Sequence, residues 1–445
     1  MARALRSTRL RPLAALGAAA FIALQFVRPV LPAPAVAADL QLPPAVHQVL
    51  KQSCYDCHSN QTQLRWYDQI VPAYWLAIAD VKAGRRGLNF SDLGASPGSQ
   101  QRGALYEAVN QMQAGTMPPP RYTALHRDAV ISPAQLAILK NYLASTETPL
   151  AAASTMSAKS DAQYERWIAS KDSPHDVRPA LNSVPFLPDY KNWTAISATE
   201  RFDNHSMRLI LGNDVAIAAA ESGRTNPWPD GTALAKVAWA AAVDDDALVR
   251  PQNFIQVELM QKDSRKYAAT RGWGWARWRG SDLAPYGSTA EFTNECVNCH
   301  LPVSSHDYVY TVPHLASRAG LPFDPAQWSV ITSEINPGAS TMSTLYGNDV
   351  AMQAARTGMQ PAYPNGAVLA LVTWSRTDDD RWFGARVPDV VESVEFVSIT
   401  TTPDHRPTPR YEPFGGAPLK PITRSDEESR QRIKHMLGAR ASVMP

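Results

Sequence analysis

The sequence predicts an α+β protein: a small all-α domain followed by two antiparallel-sheet domains with attached helices, the second copy degenerate. Three observations carry this reading. Apolar residues fall at helical spacing ahead of Cys54 and after Ser132. Segments such as Phe254–Met260 and Trp273–Trp278 alternate as strands do. A set of cap and turn residues in the second half recurs at one fixed offset. At 445 residues the chain exceeds what one core fills, so two or three domains are expected. With 43 basic and 41 acidic side chains, net +2, the charge favours neither nucleic acid nor strong membrane adhesion. The 36 prolines exceed the usual share of about 5% and predict long irregular connections.

Residues 1–38 have the layout of a secretory signal. Arg3, Arg6, Arg9 and Arg11 precede an apolar run from Leu13 to Val27, and small residues end at Ala35-Val36-Ala37. The run is shorter than the roughly 20 residues of a comfortable membrane span. The expectation is a periplasmic protein. An uncleaved membrane anchor stays open as the second reading, because Arg28 and a proline-rich stretch follow the run.

The expected first domain spans 39–147. Val46, Val49 and Leu50 lead at helical spacing into Cys54-Tyr55-Asp56-Cys57-His58, which puts both thiols on the buried stripe. All four cysteines of the chain fall in two copies of this pattern, the other being Cys296-Val297-Asn298-Cys299-His300. Two thiols one helical turn apart can add to the two vinyl groups of a haem while the adjacent histidine reaches the iron. A thioredoxin-like dithiol or a zinc site would not explain a histidine directly after both pairs. Each copy therefore reads as a covalent attachment site for a c-type haem, with His58 and His300 as iron ligands. Downstream come Gly115-Thr116-Met117-Pro118 and then Ser132-Pro133-Ala134-Gln135, a capping box opening a helix through Leu136, Leu139 and Leu143. With Trp66-Tyr67, this order resembles a small haem-binding, cytochrome c-like domain. Met117 is the natural sixth ligand, since a thioether on a proline loop closes the iron and suits electron transfer; His126 and His47 are its alternatives.

Residues 148–185 read as a linker with one short helix. After it, Gly212-Asn213-Asp214-Val215-Ala216 recurs as Gly347-Asn348-Asp349-Val350-Ala351, and Pro229-Asp230-Gly231 before Trp239 recurs as Pro364-Asn365-Gly366 before Trp374. In both copies an Asn-Asp pair caps a short helix and a tight turn enters a strand. The copies are placed at 186–320 and 325–400. The second keeps caps and turns but has Leu371 for Lys236 and Ser343 for Arg208, and it shows no CxxCH. A lysine, an arginine and a haem motif lost together point to one active centre in the first copy. Lys236 shares a strand face with Leu234 and Ala238, where desolvation would lower its pKa and leave a nucleophilic amine. A paired or snorkelling lysine is the rival reading. The tail, 401–445, reads as proline-rich with a short helix capped by Ser425 and Glu428, and suggests no chemistry.

The first copy resembles the cytochrome P-460 family. The residues that carry this are Leu187-Pro188-Asp189-Tyr190, Arg208, Asp230-Gly231-Thr232 with Lys236, Gly272-Trp273-Gly274, Glu295-Cys296 to His300, and Asp307-Tyr308-Val309-Tyr310-Thr311. The resemblance implies a five-coordinate haem with a third tether through a lysine nitrogen, for which Lys236 holds the matching position, and it implies hydroxylamine oxidation. It also implies association as pairs, so the second copy is expected to pack on the first in place of a dimer partner. Arg208 would orient a dipolar intermediate, and Glu291 and Asp203 are candidates for accepting substrate protons.

The function expected is a periplasmic dihaem cytochrome, an oxidoreductase acting on hydroxylamine or a related small nitrogen compound at the His300 haem. Electrons would pass through the His58 haem to a redox partner protein. A binder of nitric oxide or another diatomic gas stays open. So does a plain electron-transfer protein in which Met342, Met352 or Met359 supplies a distal ligand.

Overall fold

The computed structural model describes residues 15–32, 38–147, 149–169, 177–315, 320–358, 363–401 and 407–445. The four leader arginines, the Ala35-Val36-Ala37 triplet and Met359 lie outside the described residues. The chain forms two compact units, Met1–Thr146 and Glu147–Pro445.

The first unit is helical. Residues 15–24 form a helix whose Leu16, Phe21 and Ile22 are exposed. Among the described residues no helix is long and apolar enough to cross a membrane. Helix α1 (Pro44–Ser53) starts on a proline, whose missing N–H costs nothing in a first turn, and buries Val46, Val49 and Leu50. The backbone breaks at Cys54 and resumes as α2 (Tyr55–His58). Helix α3 (Ala73–Gly87) runs against this turn at Gly84, where a Cβ would stand 2.6 Å from the Cys57 carbonyl oxygen. Helix α4 (Gly98–Gln113) buries Leu105, Tyr106 and Val109. Helix α5 (Pro133–Ser145) packs on α1 and α4 through Leu139 and Leu143, and opens on the expected Ser132–Gln135 capping box.

The second unit begins inside the expected linker. Helix α6 (Ala153–Ala169) fills much of 148–185 and packs on the sheet. Gln163 holds both backbone groups of Phe254, accepting from its N at 2.7 Å and donating to its O at 3.3 Å, and Tyr164 is buried. The segment's few apolar side chains suffice because polar bonds carry much of the docking.

The first copy contributes β1 (Thr194–Arg201), β2 (Ser206–Gly212), helix α7 (Asp214–Glu221), β3 (Ala233–Val243), β4 (Val249–Lys262), β5 (Trp273–Arg279), β6 (Ala284–Pro285) and helix α8 (Thr293–His300). The second contributes β7 (Ser329–Asn336), β8 (Thr341–Gly347), helix α9 (Asp349–Arg356), β9 (Val368–Asp378) and β10 (Ala385–Thr401). The capping logic repeats to the atom. Asn213 accepts from Ala216 N at 3.1 Å and donates to Gly231 O at 2.9 Å; Asn348 accepts from Ala351 N at 3.0 Å and donates to Gly366 O at 2.9 Å.

The copies are joined more closely than two separate sheet domains. Strands pair antiparallel in the order β1-β2-β3-β4-β7-β8-β9-β10, and β10 returns to β1, so the path closes on itself. Val249 opposite Ile335 makes one junction; Glu200 and Arg201 opposite Arg386 and Ala385 make the other. One core runs through both copies, with Trp239, Val257 and Trp278 beside Val372, Trp374 and Phe396. The second copy thus meets the first at both ends of its strand path.

The tail belongs to this unit. Strands β11 (Pro407–Gly415) and β12 (Lys420–Pro421) extend β10 as β5 and β6 extend β4, with Phe414 opposite Pro421 as Trp278 is opposite Pro285. Helix α10 (Asp426–Gly438) then takes the place of α8. It packs Ile433 and Met436 against Ile331, Ala351 and Ala354, as α8 packs Cys296 and Val297 against Ile196, Ala216 and Ala219. The motif helix therefore has a counterpart without cysteines, and the offset that matches Trp278 to Phe414 and Pro285 to Pro421, carried forward, sets Arg432, His435 and Met436 against Cys296, Cys299 and His300.

Candidate functional site

In the second unit the site grows from α8. Its final turn brings Cys296, Cys299 and His300 to one end, and the segment after it folds back through Asp307 and Tyr308, whose φ values of 51° and 64° lie in the left-handed region. Such a pair of non-glycine residues costs free energy unless the surroundings hold it. Here they do: Asp307 accepts from Lys262 Nζ at 2.7 Å and from Trp228 N at 2.9 Å, and its carbonyl accepts from Trp273 Nε1 at 2.9 Å. The kink delivers the Tyr308 carbonyl to His300 Nδ1 at 2.7 Å. That bond fixes the tautomer with Nδ1 protonated and leaves the Nε2 lone pair for a metal. Trp275 and Tyr310 hold the imidazole edgewise, centroids at 4.7 and 5.2 Å, and the Tyr310 hydroxyl donates to Cys299 O at 2.7 Å. Burial pushes the His300 pKa down to about 4, so the ring is neutral.

Lys236 lies on β3 with Leu234 and Ala238 buried beside it, as its strand pattern predicts. Its ammonium is paired with the Glu258 carboxylate, which also meets Arg277 Nε at 2.9 Å. Desolvation lowers the lysine pKa, opposed by Glu258 and assisted by Arg208. Burial alone would raise the Glu258 carboxyl, but the Lys236 and Arg277 charges hold it well below the usual range. Arg208, on β2, is driven down to about 10 by desolvation and by Arg201, and its Nε has no hydrogen-bond partner among the described residues. An unpaired buried guanidinium nitrogen is costly unless a guest satisfies it.

The other two candidates lie elsewhere. Asp203 is buried, but it is bound by Arg201 Nε at 2.8 Å and by Trp382 Nε1 at 3.1 Å. Glu291 is exposed on the turn ahead of α8. Glu258 is the carboxylate beside Lys236. Its signal was cross-strand register, since β3 places Lys236 opposite Glu258. Met342 and Met352 are buried in the cores of the second copy, which removes them as distal ligands.

In the first unit, His58 Nδ1 lies 3.1 Å from the Leu88 carbonyl, again leaving Nε2, and desolvation lowers its pKa. The alternatives to Met117 are engaged. His126 has Nδ1 at 3.0 Å from Tyr122 O and Nε2 at 2.9 Å from Asp68; His47 Nε2 is 3.8 Å from Asp39. Met117 is 39% exposed on its loop.

The donor set fits haem. No disulfide joins the four cysteines, and burial pushes Cys54 and Cys57 up to about 12 and Cys296 up to about 11, so these three thiols are held protonated. Among the described residues no three His, Cys, Asp or Glu side chains converge as for a bare metal ion.

Comparison with known families agrees in both units. A haem-binding domain model matches residues 17–145, and the Cytochrome P-460 model matches 187–311 and 323–402, one stretch in each copy. No curated protein matches the chain.

Proposed function

The chain is a haem cytochrome in which a haem-binding domain is joined to a repeated cytochrome P-460 region, and from that premise we propose a periplasmic dihaem c-type cytochrome. It oxidises hydroxylamine or a related small nitrogen compound at the His300 haem and passes the electrons through the His58 haem to a redox partner. The observation that carries this is the half-buried cluster of Arg208, Lys236 and Glu258 on adjacent strands beside the second motif. A haem bound there supplies an iron for a small ligand and an acceptor for its electrons. The chain's own residues do the rest. Glu258, ionised and half-buried, takes a proton released from the ligand. Arg208 Nε, lacking a partner, orients a dipolar guest. In this reading Lys236 forms the third tether to the porphyrin edge, and a tethered lysine would leave Glu258 with Arg277 as its counter-charge and a higher proton affinity.

Electron relay within one chain replaces a bimolecular encounter by a tethered one. Met117 as the sixth ligand of the His58 haem suits that relay, and the His126 and His47 rings have other partners.

A second reading draws on the Lys236–Glu258 ion pair itself, which occupies the amine. If the pair persists in the holoprotein, the His300 haem captures a diatomic gas such as nitric oxide without turnover. Mass analysis of haem peptides from a digest decides between them. The proposal expects haem on both motifs, Lys236 covalently attached to the second, and hydroxylamine turnover that Lys236→Ala abolishes. Colourless protein, or turnover unaffected by that substitution, would overturn it.

A further inference from the structure

The second copy has the strands of the first without its cysteines, and one of its loops is longer. The β3–β4 hairpin closes at Asp244 N to Leu248 O, with a loop of 245–247; the β9–β10 hairpin closes at Asp379 N to Ala385 O, with a loop of 380–384. The longer loop carries Arg381 and Trp382, and both reach the first copy. Arg381 Nη1 donates to Tyr310 O at 3.0 Å and lies 3.2 Å from Val309 O. The Trp382 indole packs edgewise on Tyr310, centroids at 5.4 Å. It is itself fixed by its bond to Asp203 and by the Arg201 guanidinium 4.3 Å over its ring. Tyr310 in turn touches the His300 ring and donates to Cys299 O. A continuous set of contacts thus runs from the haemless copy to the imidazole of the other.

The reverse arrangement supports a built relation. The shorter hairpin of the first copy sends Arg250 to Glu334 at 2.8 Å, and Glu334 meets His435, the residue standing where Cys299 would be, at 2.9 Å. Each copy's hairpin braces the other copy's α8-type helix, and the one that braces a haem motif is the longer.

We propose that the Asp379–Ala385 hairpin is a positioning element of the His300 haem site, in which Trp382 and Arg381 hold Tyr310 and, through it, set the orientation of the His300 imidazole. This rests on the reading that His300 ligates haem iron. It gives the second copy a task beyond closing the sheet, and it turns Asp203 from a candidate base into an anchor for Trp382.

The test uses the full-length holoprotein with Trp382→Ala, Trp382→Phe and Arg381→Met. Resonance Raman of the ferrous protein reads the iron–histidine vibration, and nitric oxide affinity is measured at the His300 haem, with the His58 haem as internal reference. The expected result in Trp382→Ala is a shifted, broadened iron–histidine band and ligand affinity changed by about 10–100-fold, the usual range for residues that orient a metal ligand. Trp382→Phe should restore most of both. A band and affinity identical to wild type in Trp382→Ala and Arg381→Met, with haem in place, would overturn the inference. If Trp382→Ala does not fold, Arg381→Met carries the same reading. Wild-type protein without haem on Cys296 and Cys299 would instead remove the parent reading, and this one with it.

Discussion

Glu258 sits between two cations, and that sets what it can do. In the proposed catalyst Lys236 is tethered and Arg277 remains the counter-charge, so the carboxylate stays ionised at neutral pH with a higher proton affinity than in the ion pair and accepts a proton from a small molecule acidified on binding. Glu258→Gln should therefore lower hydroxylamine turnover by about 10²- to 10⁴-fold, the usual worth of a positioned base. Glu291→Gln, on the exposed turn, should leave turnover within about twofold; equal losses in both variants would show that neither position is the acceptor. Glu334 offers a cleaner pH signature. Burial would raise its carboxyl, but the His435 hydrogen bond and the Arg250 charge outweigh that and lower it below the usual 4.5. A carboxyl depressed in the folded state stabilises above its unfolded pKa and loses that contribution as pH falls through its folded one. The melting-temperature advantage of wild type over Glu334→Gln should hold at pH 7 and shrink as pH falls below about 4.5. Lys236 and Arg208 were legible in the sequence because their counterparts, Leu371 and Ser343, differ at a fixed offset. Glu258 was not, because its counterpart is again a glutamate, Glu395 opposite Leu371, and a comparison that looks for losses passes over what both copies keep.

At the scale of elements, helix α3 must come close to the first motif turn, and Gly84 is what lets it. An added Cβ would stand 2.6 Å from the Cys57 carbonyl, a backbone atom that cannot rotate away. Gly84→Ala should destabilise the first unit by about 1–3 kcal/mol and lower haem incorporation at Cys54 and Cys57 while sparing Cys296 and Cys299. Haem content per peptide, read by mass, checks this; equal incorporation at both motifs would refute it. Helices with strong terminal signals were readable in advance, as the boxes at Ser132 and Ser425 demonstrate. Helix α6 was underestimated because its docking uses Gln163 and few apolar residues. That the β11–β12–α10 run is the counterpart of β5, β6 and α8 was not legible, because the β9–β10 hairpin changes the offset and the repeat loses its phase before the tail begins.

At the scale of the molecule, the closed strand path explains why the second copy persists without a haem motif. The two copies pair at the strand ends, at Val249–Ile335 and at Glu200 and Arg201, and one core continues across these junctions, so the second copy completes the packing of the first. The chain's last residues complete the same unit. Val443 and Met444 are buried, the Val443 carbonyl accepts from Trp239 Nε1 at 2.8 Å, the Met444 carbonyl from Trp167 Nε1 at 3.1 Å, and the Pro445 carbonyl from the Tyr190 hydroxyl at 2.9 Å. Removing residues 440–445 would strip all three acceptors. A buried donor left unsatisfied costs about 1–3 kcal/mol, and the lost apolar burial adds to that. The loss is comparable to the whole stability of an ordinary domain, about 5–15 kcal/mol, so the truncated second unit should melt far earlier or fail to fold. Haem attached to Cys54 and Cys57 should persist, since those residues belong to the other compact unit. Calorimetry with peptide haem analysis would show one transition lost and one kept; loss of both haems together would mean that the two units fold as one.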